Sequence, residues 1–488
     1  MPRLFGFARQ PLPGPRALPL VGKPWRLYRF LDDPVGAVLA LHRQGGELAA
    51  VVRDDPALVA VFGPAAVRAV LSEPARFQHD EAVFTGPPGS RLDLLRNAII
   101  AVNGEVHGRH RRLMQPAFGR AAMAGYAEET AAVAEACLAS WPVGGAPVRV
   151  DALTRELALC VAVRCFYGMD VVGGATELGH LAAELVEILT DPFTILAPFN
   201  LPGMPYRRAV RVADALLGRL AELVERKRSA GPPPADAFAD ALSRLIHTTE
   251  ADGTRLSEAE LLAEATTLFV AGHETIAMTL AWTIFLLEQH PDVLEATLDE
   301  LAPAGDVPQP TGPWDASRAP TLDRVIKESM RVMPSVPTLF LRVCGAGATV
   351  GGVELPAGAN LLVSPLAAHR DPAIYSEPDR FLPDRWVGFT PPAFSYLPFG
   401  AGPRTCVGAA FAQQALRILL PMILRRFRFE VPDGAHVSRL TRANILLFKR
   451  GLTMRVLPFD RVQRAPGRVV GDVRSLVALP GRGALVPA

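Results

Sequence analysis

The chain has 488 residues, of which 49% are hydrophobic and 20% are charged. This composition supplies the apolar side chains of a large buried core and is typical of a globular protein. The 51 basic and 49 acidic residues leave a formal net charge of only +2. Because nucleic-acid-binding proteins usually carry a marked excess of positive charge, we expect no nucleic-acid partner.

The cysteines and the N-terminal stretch indicate a protein of a reducing compartment. The five cysteines are an odd number, contain no CxxC pair and are too sparse for a disulfide scaffold. Residues 1–22 are rich in proline and contain no apolar run long enough for a signal-peptide core or a membrane span. We therefore expect a cytoplasmic protein without an integral membrane segment.

In chain order, the predicted elements form a large helical body with small sheets near both ends. Alternating apolar residues predict a two-stranded unit over residues 47–63. From about residue 67 to residue 290, apolar residues recur at spacings of three and four, which is typical of amphipathic helices. Strand-like runs return within residues 337–365, 427–432 and 443–458. These patterns predict a mainly α fold with small β-sheets, in the α+β class.

The chain shows no sign of a second domain. Residues 1–459 are predicted to form a single domain. Residues 460–488 are rich in Gly, Pro, Arg and Val without a clear period. We expect this C-terminal extension to be loosely packed.

The longest helical pattern begins after Ser257 and contains polar residues in its apolar middle. Ser257 and Glu260 form an S-x-x-E capping box, and the pattern continues unbroken to Pro291. Residues 272–275, Gly-His-Glu-Thr, interrupt the apolar stretch. A buried carboxylate and hydroxyl are costly unless they have partners. The segment is therefore either a core helix with a mutually satisfied Glu–Thr pair or a reactive site.

A second candidate site surrounds Cys406 in the stretch FGAGPRTCVG, residues 399–408. The glycines would let the backbone approach a flat, bulky group, Phe399 could cover the sulfur, and Arg404 could pair with an anion. A strongly helical sequence follows, so backbone N–H groups at the helix start would favour a thiolate. One cysteine cannot build a zinc site, but it can be the sole protein ligand of haem iron. The alternative is a turn that holds an ordinary buried cysteine.

With both stretches in view, the chain resembles the cytochrome P450 family. FGAGPRTCVG matches the family's F-x-x-G-x-R-x-C-x-G haem loop at every fixed position. AGHET, residues 271–275, matches the oxygen-activating [AG]-G-x-[DE]-T motif. The resemblance implies the P450 fold, with the long central I-helix lying over the haem.

Two further motifs of the family follow in the expected order. Glu328 and Arg331 fit E-x-x-R, and Pro378, Arg380 and Phe381 fit P-x-R-F. The resemblance extends over roughly residues 13–458. It implies that Glu328, Arg331 and Arg380 form a buried triad that supports the cysteine loop.

The resemblance also implies a haem b cofactor and the residues around it. Cys406 would be the axial ligand of the iron. His107 and Arg111, spaced i and i+4 on the family's C-helix, would bind the haem propionates together with Arg342 and Arg404. The cofactor-binding residues would be completed by Phe399, Gly400, Gly408 and Ala271.

The implied reaction is mono-oxygenation. Gly272 would leave a notch for O2 in the I-helix, while Thr275 and Glu274 would relay protons to it. The resemblance allows two alternatives. One is a P450-fold enzyme of other chemistry, namely a peroxygenase, an isomerase or a coupling catalyst, and the Glu–Thr pair argues against the peroxide-driven type. The other is a non-enzymatic haem-thiolate sensor.

The substrate and the electron source follow from the pocket segments and the length. The segments matching the family's pocket are apolar and imply a lipophilic substrate such as a fatty acid, terpenoid, steroid or polyketide. The predicted pocket residues are Phe84, Leu268, Phe269, Thr338, Leu339 and Ile445. The P450 body takes up nearly the whole chain, so we expect electrons to come from a separate ferredoxin or flavodoxin with an NAD(P)H-dependent reductase. We also expect a monomer. Arg109 and Arg112 are candidates for its docking surface.

Overall fold

The structure is a computed structural model that describes residues 6–17, 22–44, 46–80, 86–170, 174–234, 237–301, 319–462 and 464–480. Its helices are α1 (Gly22–Asp32), α2 (Pro34–His42), α3 (Pro64–Ser72), α4 (Gly104–Met114), α5 (Arg120–Ala139), α6 (Val150–Tyr167), α7 (Gly174–Thr190), α8 (Pro192–Leu196), α9 (Pro205–Ala230), α10 (Ala241–His247), α11 (Glu258–Gly272), α12 (Glu274–Gln289), α13 (Pro291–Leu301), α14 (Pro320–Val332), α15 (Pro365–Ala368) and α16 (Ala409–Arg426). Short 3₁₀ helices span Arg91–Asn97, Gln115–Phe118, Pro383–Trp386, Gly402–Arg404 and Asp472–Ser475.

The strands of the described residues are short and form small sheets. They are β1 (Leu48–Ala50), β2 (Leu58–Val61), β3 (Phe77–His79), β4 (Pro147–Arg149), β5 (Arg342–Cys344), β6 (Ala348–Val350), β7 (Val353–Leu355), β8 (Asn360–Val363), β9 (Phe427–Glu430), β10 (Ala435–His436), β11 (Arg439–Arg442), β12 (Ile445–Phe448), β13 (Thr453–Pro458) and β14 (Val469–Val470). The largest sheet has the order β1-β2-β8-β5-β3, and a second has the order β4-β13-β9. The predicted two-stranded unit near the N-terminus is confirmed as the antiparallel pair β1–β2.

The helices surround one large apolar core, as the α+β prediction requires. Helix α12 is buried along almost its whole length and packs against α6, α14 and α16. Trp282 stacks on Phe448 of β12 at a ring-centroid distance of 3.8 Å, and its indole N–H donates to the Leu446 carbonyl. These contacts tie the centre of the helical body to the C-terminal sheets.

The central helix is broken, although the sequence predicted an unbroken one. The capping box is confirmed, because Ser257 accepts the Glu260 N–H and the Glu260 carboxylate accepts the Ser257 N–H. Helix α11 then ends at Gly272 and α12 begins at Glu274, with His273 between them at φ −116°. The Thr275 hydroxyl donates to the Ala271 carbonyl at 3.2 Å, the acceptor that a continuous helix reserves for the Thr275 N–H. Gly272 weakens the helix at this point, which accounts for the position of the break.

The apolar character of this helix pair reflects the core of the fold. Among the described residues, 258–289 form the one helical segment with the length and hydropathy of a membrane span. Its most apolar stretch is 72% buried inside the protein. Such burial is what a central core helix requires.

The C-terminal extension is packed into the core over its described residues, so the prediction of a loose tail is wrong. Strand β14 pairs in parallel with β10. Val473, Leu476 and Val477 are fully buried. The buried guanidinium of Arg370 donates to the Leu476 carbonyl at 2.6 Å. The buried apolar residues lie on β14, on the 3₁₀ helix Asp472–Ser475 and on the turn after it.

Shortening a buried side chain of the extension is predicted to destabilise the whole protein. Leu476→Ala should lower the free energy of unfolding by about 2–5 kcal/mol, because it leaves a cavity in the core. Urea denaturation monitored by circular dichroism measures this change. Val470→Ala, at a residue 41% exposed on the same segment, is the control and should change it by less than about 0.5 kcal/mol. Equal, small effects of both substitutions would contradict the packed arrangement.

Candidate active site

The cysteine loop is a tight turn between the 3₁₀ helix Gly402–Arg404 and α16. The Cys406 N–H donates to the Phe399 carbonyl at 2.9 Å, which closes the loop. Gly402 has φ 73°, and a Cβ there would lie 2.2 Å from the Leu71 carbonyl oxygen. Only glycine fits at this position, so the loop is held against α3.

The other two glycines of the loop contribute in different ways. Gly400 has φ 68° with open space where a side chain would point. A Cβ on Gly408 would make only ordinary contacts, the nearest at 3.8 Å. Gly408 instead contributes its backbone, which hydrogen bonds to the Cys406 thiol.

The Cys406 thiol faces an internal space. Its side chain is accessible, yet the surrounding protein desolvates it, and this burial raises the pKa of the thiol. The Gly408 backbone bond and the charge of Arg111 lower the pKa but do not outweigh burial. The backbone at the helix start lowers the pKa of Cys406, as predicted, but not enough to offset burial. A stable thiolate at Cys406 therefore needs a further positive charge nearby.

The helix break exposes a polar spot in the middle of the core. Ala271 is exposed, although Phe269 and Ile276 on either side of it are buried. Thr267 and Thr275 lie one turn away from Ala271 in either direction and are partly exposed. This face of the helix pair therefore lines an internal space.

Gly272 does not provide the predicted notch. A Cβ at this position would lie 2.2 Å from Cε2 of Phe166. Phe166 in turn packs against Phe118 and Phe411. The glycine allows close packing of α11 on α6, and the open side of the helix is at Ala271.

Glu274 is paired with an arginine that the sequence did not reveal. Its carboxylate accepts three hydrogen bonds from Arg155 of α6, at 2.8, 2.9 and 3.0 Å. Burial disfavours the charged form of Arg155, but the bonds to Glu274 raise its pKa. Thr275 bonds to the Ala271 carbonyl instead. The mutually satisfied Glu–Thr pair considered from the sequence is therefore wrong.

A buried ion cluster connects α14 with the segment that leads to the cysteine loop. The side chains of Glu328 and Arg331 are fully buried and joined by two hydrogen bonds of 2.9 Å. The second cation on Glu328 is Arg385, whose Nε donates to Oε1 at 2.9 Å. The Trp386 indole N–H donates to the other carboxylate oxygen at 3.0 Å.

Arg380 was predicted as the third member of this triad, and the structure corrects it. Its side chain is 54% exposed and pairs with Glu377 at the surface. Only its backbone carbonyl takes part, as an acceptor for Arg331. The sequence contains P-x-R-aromatic twice, at residues 378–381 and 383–386, and the second copy lies in the 3₁₀ helix that packs on α14.

Four basic side chains converge between β3, β5, α4 and the cysteine loop. Burial and Arg404 lower the pKa of Arg342 to about 9, and burial lowers that of Arg404 to about 10. The pKa of His107 falls to about 4 and that of His79 to about 2, through burial and the neighbouring arginines. Arg404 Nε is buried without a hydrogen-bond partner. Among the described residues, no carboxylate pairs with any of the four.

The cytochrome P450 family model matches residues 12–454. The chain belongs to the cytochrome P450 family. Cytochrome P450 135B1 of Mycobacterium tuberculosis is 31% identical over 441 residues, which cover 88% of this chain and 86% of that protein. Cytochrome P450 138 of Mycobacterium bovis is 32% identical over 374 residues, 72% of this chain and 78% of that protein.

Solved structures confirm the predicted fold. The haem domain of cytochrome P450DA has a TM-score of 0.78 and 25% identity, and the match covers 94% of this chain and all of that one. A cyanobacterial CYP120A1 bound to retinoic acid also has a TM-score of 0.78, at 23% identity over 93% of this chain and all of that one. The protein is a P450 monooxygenase with haem b as its cofactor, as predicted.

The residues present fit haem b. The cofactor carries two propionate groups, and the cluster of Arg342, Arg404 and His107 is a buried cationic site without a carboxylate from the described part of the chain. Two anions would restore the balance of charge there. Arg111 lies between this cluster and the thiol, and its Nη1 donates to the Thr405 carbonyl at 2.6 Å. The Cys406 thiol therefore fits the haem iron, and the basic cluster fits the two propionates.

The predicted pocket residues meet different outcomes. Leu268 and Phe269 are 6% and 1% exposed and point into the core, so they do not line the open face of α11. Thr338 is buried, while Leu339 and Ile445 are half-buried. Phe84 lies outside the described residues. Ala271 was predicted as a cofactor-binding residue and lies on the open face of α11. Thr267, one turn before it, was missed because the sequence pattern alone does not separate a cavity from a core.

A buried histidine locks α4 to α11 in this P450. His110 is fully buried, and its two ring nitrogens lie 2.8 Å from Glu264 and 3.1 Å from Glu260. Two facing carboxylates favour a hydrogen on both ring nitrogens, which is the imidazolium form, although burial also raises the pKa of the Glu264 carboxyl. Burial alone would lower the pKa of His110, but the two carboxylates raise it. Arg109, considered as a docking residue, also pairs with Glu260.

The corrected triad leads to a prediction that separates two neighbouring arginines. Arg385→Ala should destabilise the holoprotein by about 3–5 kcal/mol and reduce its haem content, because it leaves Glu328 buried with one cation fewer. Arg380→Ala is the matched control and should cost no more than about 0.5 kcal/mol. Thermal unfolding and haem content per protein measure both. A larger loss in Arg380→Ala than in Arg385→Ala would contradict the assignment.

The His110 cluster predicts a dependence of stability on pH. Since folding raises the pKa of His110, its stabilisation is complete below its unfolded pKa of about 6.5 and is lost as pH rises through the folded value. The difference in unfolding free energy between wild type and His110→Gln should therefore shrink as pH rises above about 6.5. Urea titrations at several pH values measure it, with exposed His436→Gln as the control. A difference that stays constant with pH would refute the imidazolium.

Proposed function

We propose that this P450 inserts one oxygen atom of O2 into a lipophilic small molecule, with electrons from a separate ferredoxin or flavodoxin and its NAD(P)H-dependent reductase. The observation that carries the proposal is the helix break, where Ala271, Glu274 and Thr275 bring an acid and a hydroxyl to an internal space. A hydroxyl and an acid are the groups that proton delivery to bound oxygen requires.

In this proposal, the cysteine loop and the basic cluster hold the cofactor. Cys406 is the iron ligand, and the Gly408 N–H and the charge of Arg111 favour its thiolate. Arg342 and Arg404 hold the propionates, with His107 beside them. When bound, haem b supplies the iron at which O2 is activated, and thiolate ligation favours cleavage of the O–O bond.

Proton delivery falls to Glu274 and Thr275. The Glu274 side chain is 17% exposed, so water can reach it, and its ion pair with Arg155 holds it in place. The Thr275 hydroxyl is kept at the open face by its bond to the Ala271 carbonyl. When its hydrogen turns from that carbonyl toward the internal space, Thr275 becomes the last donor of the relay. This arrangement supports O2-driven chemistry over the peroxide-driven alternative.

The proposed substrate class rests on the apolar side chains of the pocket segments. Val270, Leu339 and Ile445 are half-buried apolar side chains on segments that line the pocket in the resemblance, and Ala271 adds a methyl group on the open helix face. Apolar linings bind ligands chiefly by removing carbon surface from water. We therefore propose a fatty acid, terpenoid, steroid or polyketide as substrate.

The proposed redox partner binds through acidic side chains. Arg112 of α4 is 64% exposed, and its ion pair with Glu250 is at the surface, where such pairs contribute little. An acidic side chain of a ferredoxin or flavodoxin would therefore replace Glu250 as the ion-pair partner of Arg112 at little cost in free energy. The five cysteines are unpaired, in keeping with a proposed cytoplasmic monomer.

Turnover with a surrogate ferredoxin, its reductase and NADPH tests the proposal. A panel of lipophilic compounds is first screened for the shift of haem iron from low to high spin, and the compounds that shift it are then incubated with the complete system. We expect a product that carries one oxygen atom from ¹⁸O2. Label only from peroxide, or an isomerised product without label, would overturn it.

Removal of the relay hydroxyl is predicted to separate electron use from product formation. Thr275→Ala should keep haem and substrate binding, but most of the NADPH consumed should yield hydrogen peroxide, with product per NADPH falling by roughly tenfold or more. Product and peroxide are quantified against NADPH oxidation. Thr283→Ala, which removes a similar bond to the Thr279 carbonyl two turns away, is the control. Unchanged coupling in Thr275→Ala would count against the relay.

A further inference from the structure

Asn103 occupies the N-cap position of α4 but does not cap the helix. Its backbone is extended, as expected of an N-cap, yet its side chain makes no capping hydrogen bond. Oδ1 instead accepts from the His79 N–H at 2.9 Å and from Arg404 Nη2 at 2.6 Å. Nδ2 donates to the His79 carbonyl at 3.0 Å. The Asn103 side chain therefore bonds to the end of β3 and to the cysteine loop instead of capping α4.

His79 is the acceptor that this arrangement holds in place. It ends β3, and the register of the sheet sets it opposite Arg342 of β5. Its Nδ1 lies 2.7 Å from the Ile100 carbonyl, which can only accept, so Nδ1 carries the hydrogen. Nε2 is then an acceptor, and it faces Arg342 Nη1. The ring is neutral and in one tautomer, which suits it to orient a guanidinium.

The two arginines need such support because they are buried close together. Arg404 lowers the pKa of Arg342, so their charges repel. Among the described residues, the hydrogen-bond partners of both are neutral. For Arg342 they are His79 and the Phe340 carbonyl, and for Arg404 they include Asn103 and the Val102 carbonyl. Neutral acceptors fix the direction of each guanidinium and leave its charge uncompensated for an anion.

We propose that His79 and Asn103 are positioning residues that orient Arg342 and Arg404 toward the haem propionates before the cofactor enters. The inference rests on the proposed role of these arginines as propionate ligands. His79 orients Arg342 through Nε2, and Asn103 orients Arg404 through Oδ1 while clamping the backbone of His79. Neither residue need touch the cofactor. Pre-orientation reduces the ordering that haem binding would otherwise require.

Haem transfer from the holoprotein to excess apomyoglobin tests the proposal. His79→Phe and Asn103→Ala should each speed haem loss by about tenfold, as expected when one bond to a charged group is lost. Resonance Raman spectra of the holoproteins should show shifted propionate bending bands, a change that a role in stability alone would not cause. His79→Gln, whose Oε1 can still accept from Arg342, should recover most of the wild-type behaviour.

Matched variants separate positioning from capping. Asn103→Ser keeps a good N-cap but cannot reach His79 and Arg404 together, so it should lose haem as fast as Asn103→Ala. Asn97→Ala, which removes a bond to the Leu94 carbonyl only, is the control and should behave as wild type. Wild-type haem loss in Asn103→Ser, or a His79→Gln variant no better than His79→Phe, would overturn the inference.

Direct substitution of the arginines tests their role as propionate ligands separately from the positioning role of His79 and Asn103. Faster haem loss in Arg342→Ala and Arg404→Ala supports their role as propionate ligands. If these variants lose haem rapidly while His79→Phe and Asn103→Ala do not, the positioning inference fails alone. If the arginine variants also match wild type, both it and the proposed propionate site fail.

Discussion

The buried carboxylate of Glu328 is the interaction on which the cysteine loop depends. Two guanidinium groups, an indole N–H and the Leu382 N–H all donate to its two oxygens. Arg331 then passes the constraint on, because it donates to the carbonyls of His369 and Pro378. An isolated pair at this spacing would contribute little. Full burial makes every one of these bonds necessary, since a carboxylate deprived of a partner in the core is strongly destabilising.

His369 carries this constraint toward the thiol. Its Nδ1 lies 3.1 Å from the Arg331 carbonyl and its Nε2 accepts the Leu397 N–H at 2.7 Å. Burial and Arg331 lower the pKa of His369 to about 3, so the ring stays neutral and keeps one acceptor nitrogen. Leu397 lies two residues before Phe399, whose carbonyl accepts the Cys406 N–H. Hydrogen bonds, together with the short backbone segment from Leu397 to Phe399, therefore connect α14 to the residue that ligates iron in the proposed function.

The sequence predicted what local motifs encode, and it missed what distant segments bring together. The capping box and the early β-pair follow from spacing along the chain and are confirmed. The cysteine loop forms a tight turn before a helix, as its glycines and the helical sequence after it indicate. The exchange of Arg380 for Arg385 has a different origin: two copies of one short pattern lie five residues apart, and only packing of the second on α14 decides between them. The buried extension was missed because its apolar residues have no clear period, and only tertiary packing buries them. His79, Asn103 and Arg155 carry no motif. Arg155 bonds to Glu274, 119 residues away, His79 faces Arg342, 263 residues away, and Asn103 bonds to Arg404, 301 residues away.

The buried charges of this protein fall into two groups, those that are paired with each other and those that are not. Glu328 and its arginines are mutually satisfied, so they add order to the fold and offer nothing to a ligand. Arg342 and Arg404 bond to neutral groups and keep their charge uncompensated, at a cost that shows in the lowered pKa values of both. This arrangement suits a cofactor with two anionic groups, because pairing with them offsets the cost of burying the two guanidinium charges. A similar relation holds at the helix break. The Ala271 carbonyl bonds to the Thr275 hydroxyl, and this contact holds the hydroxyl at the open face of the helix.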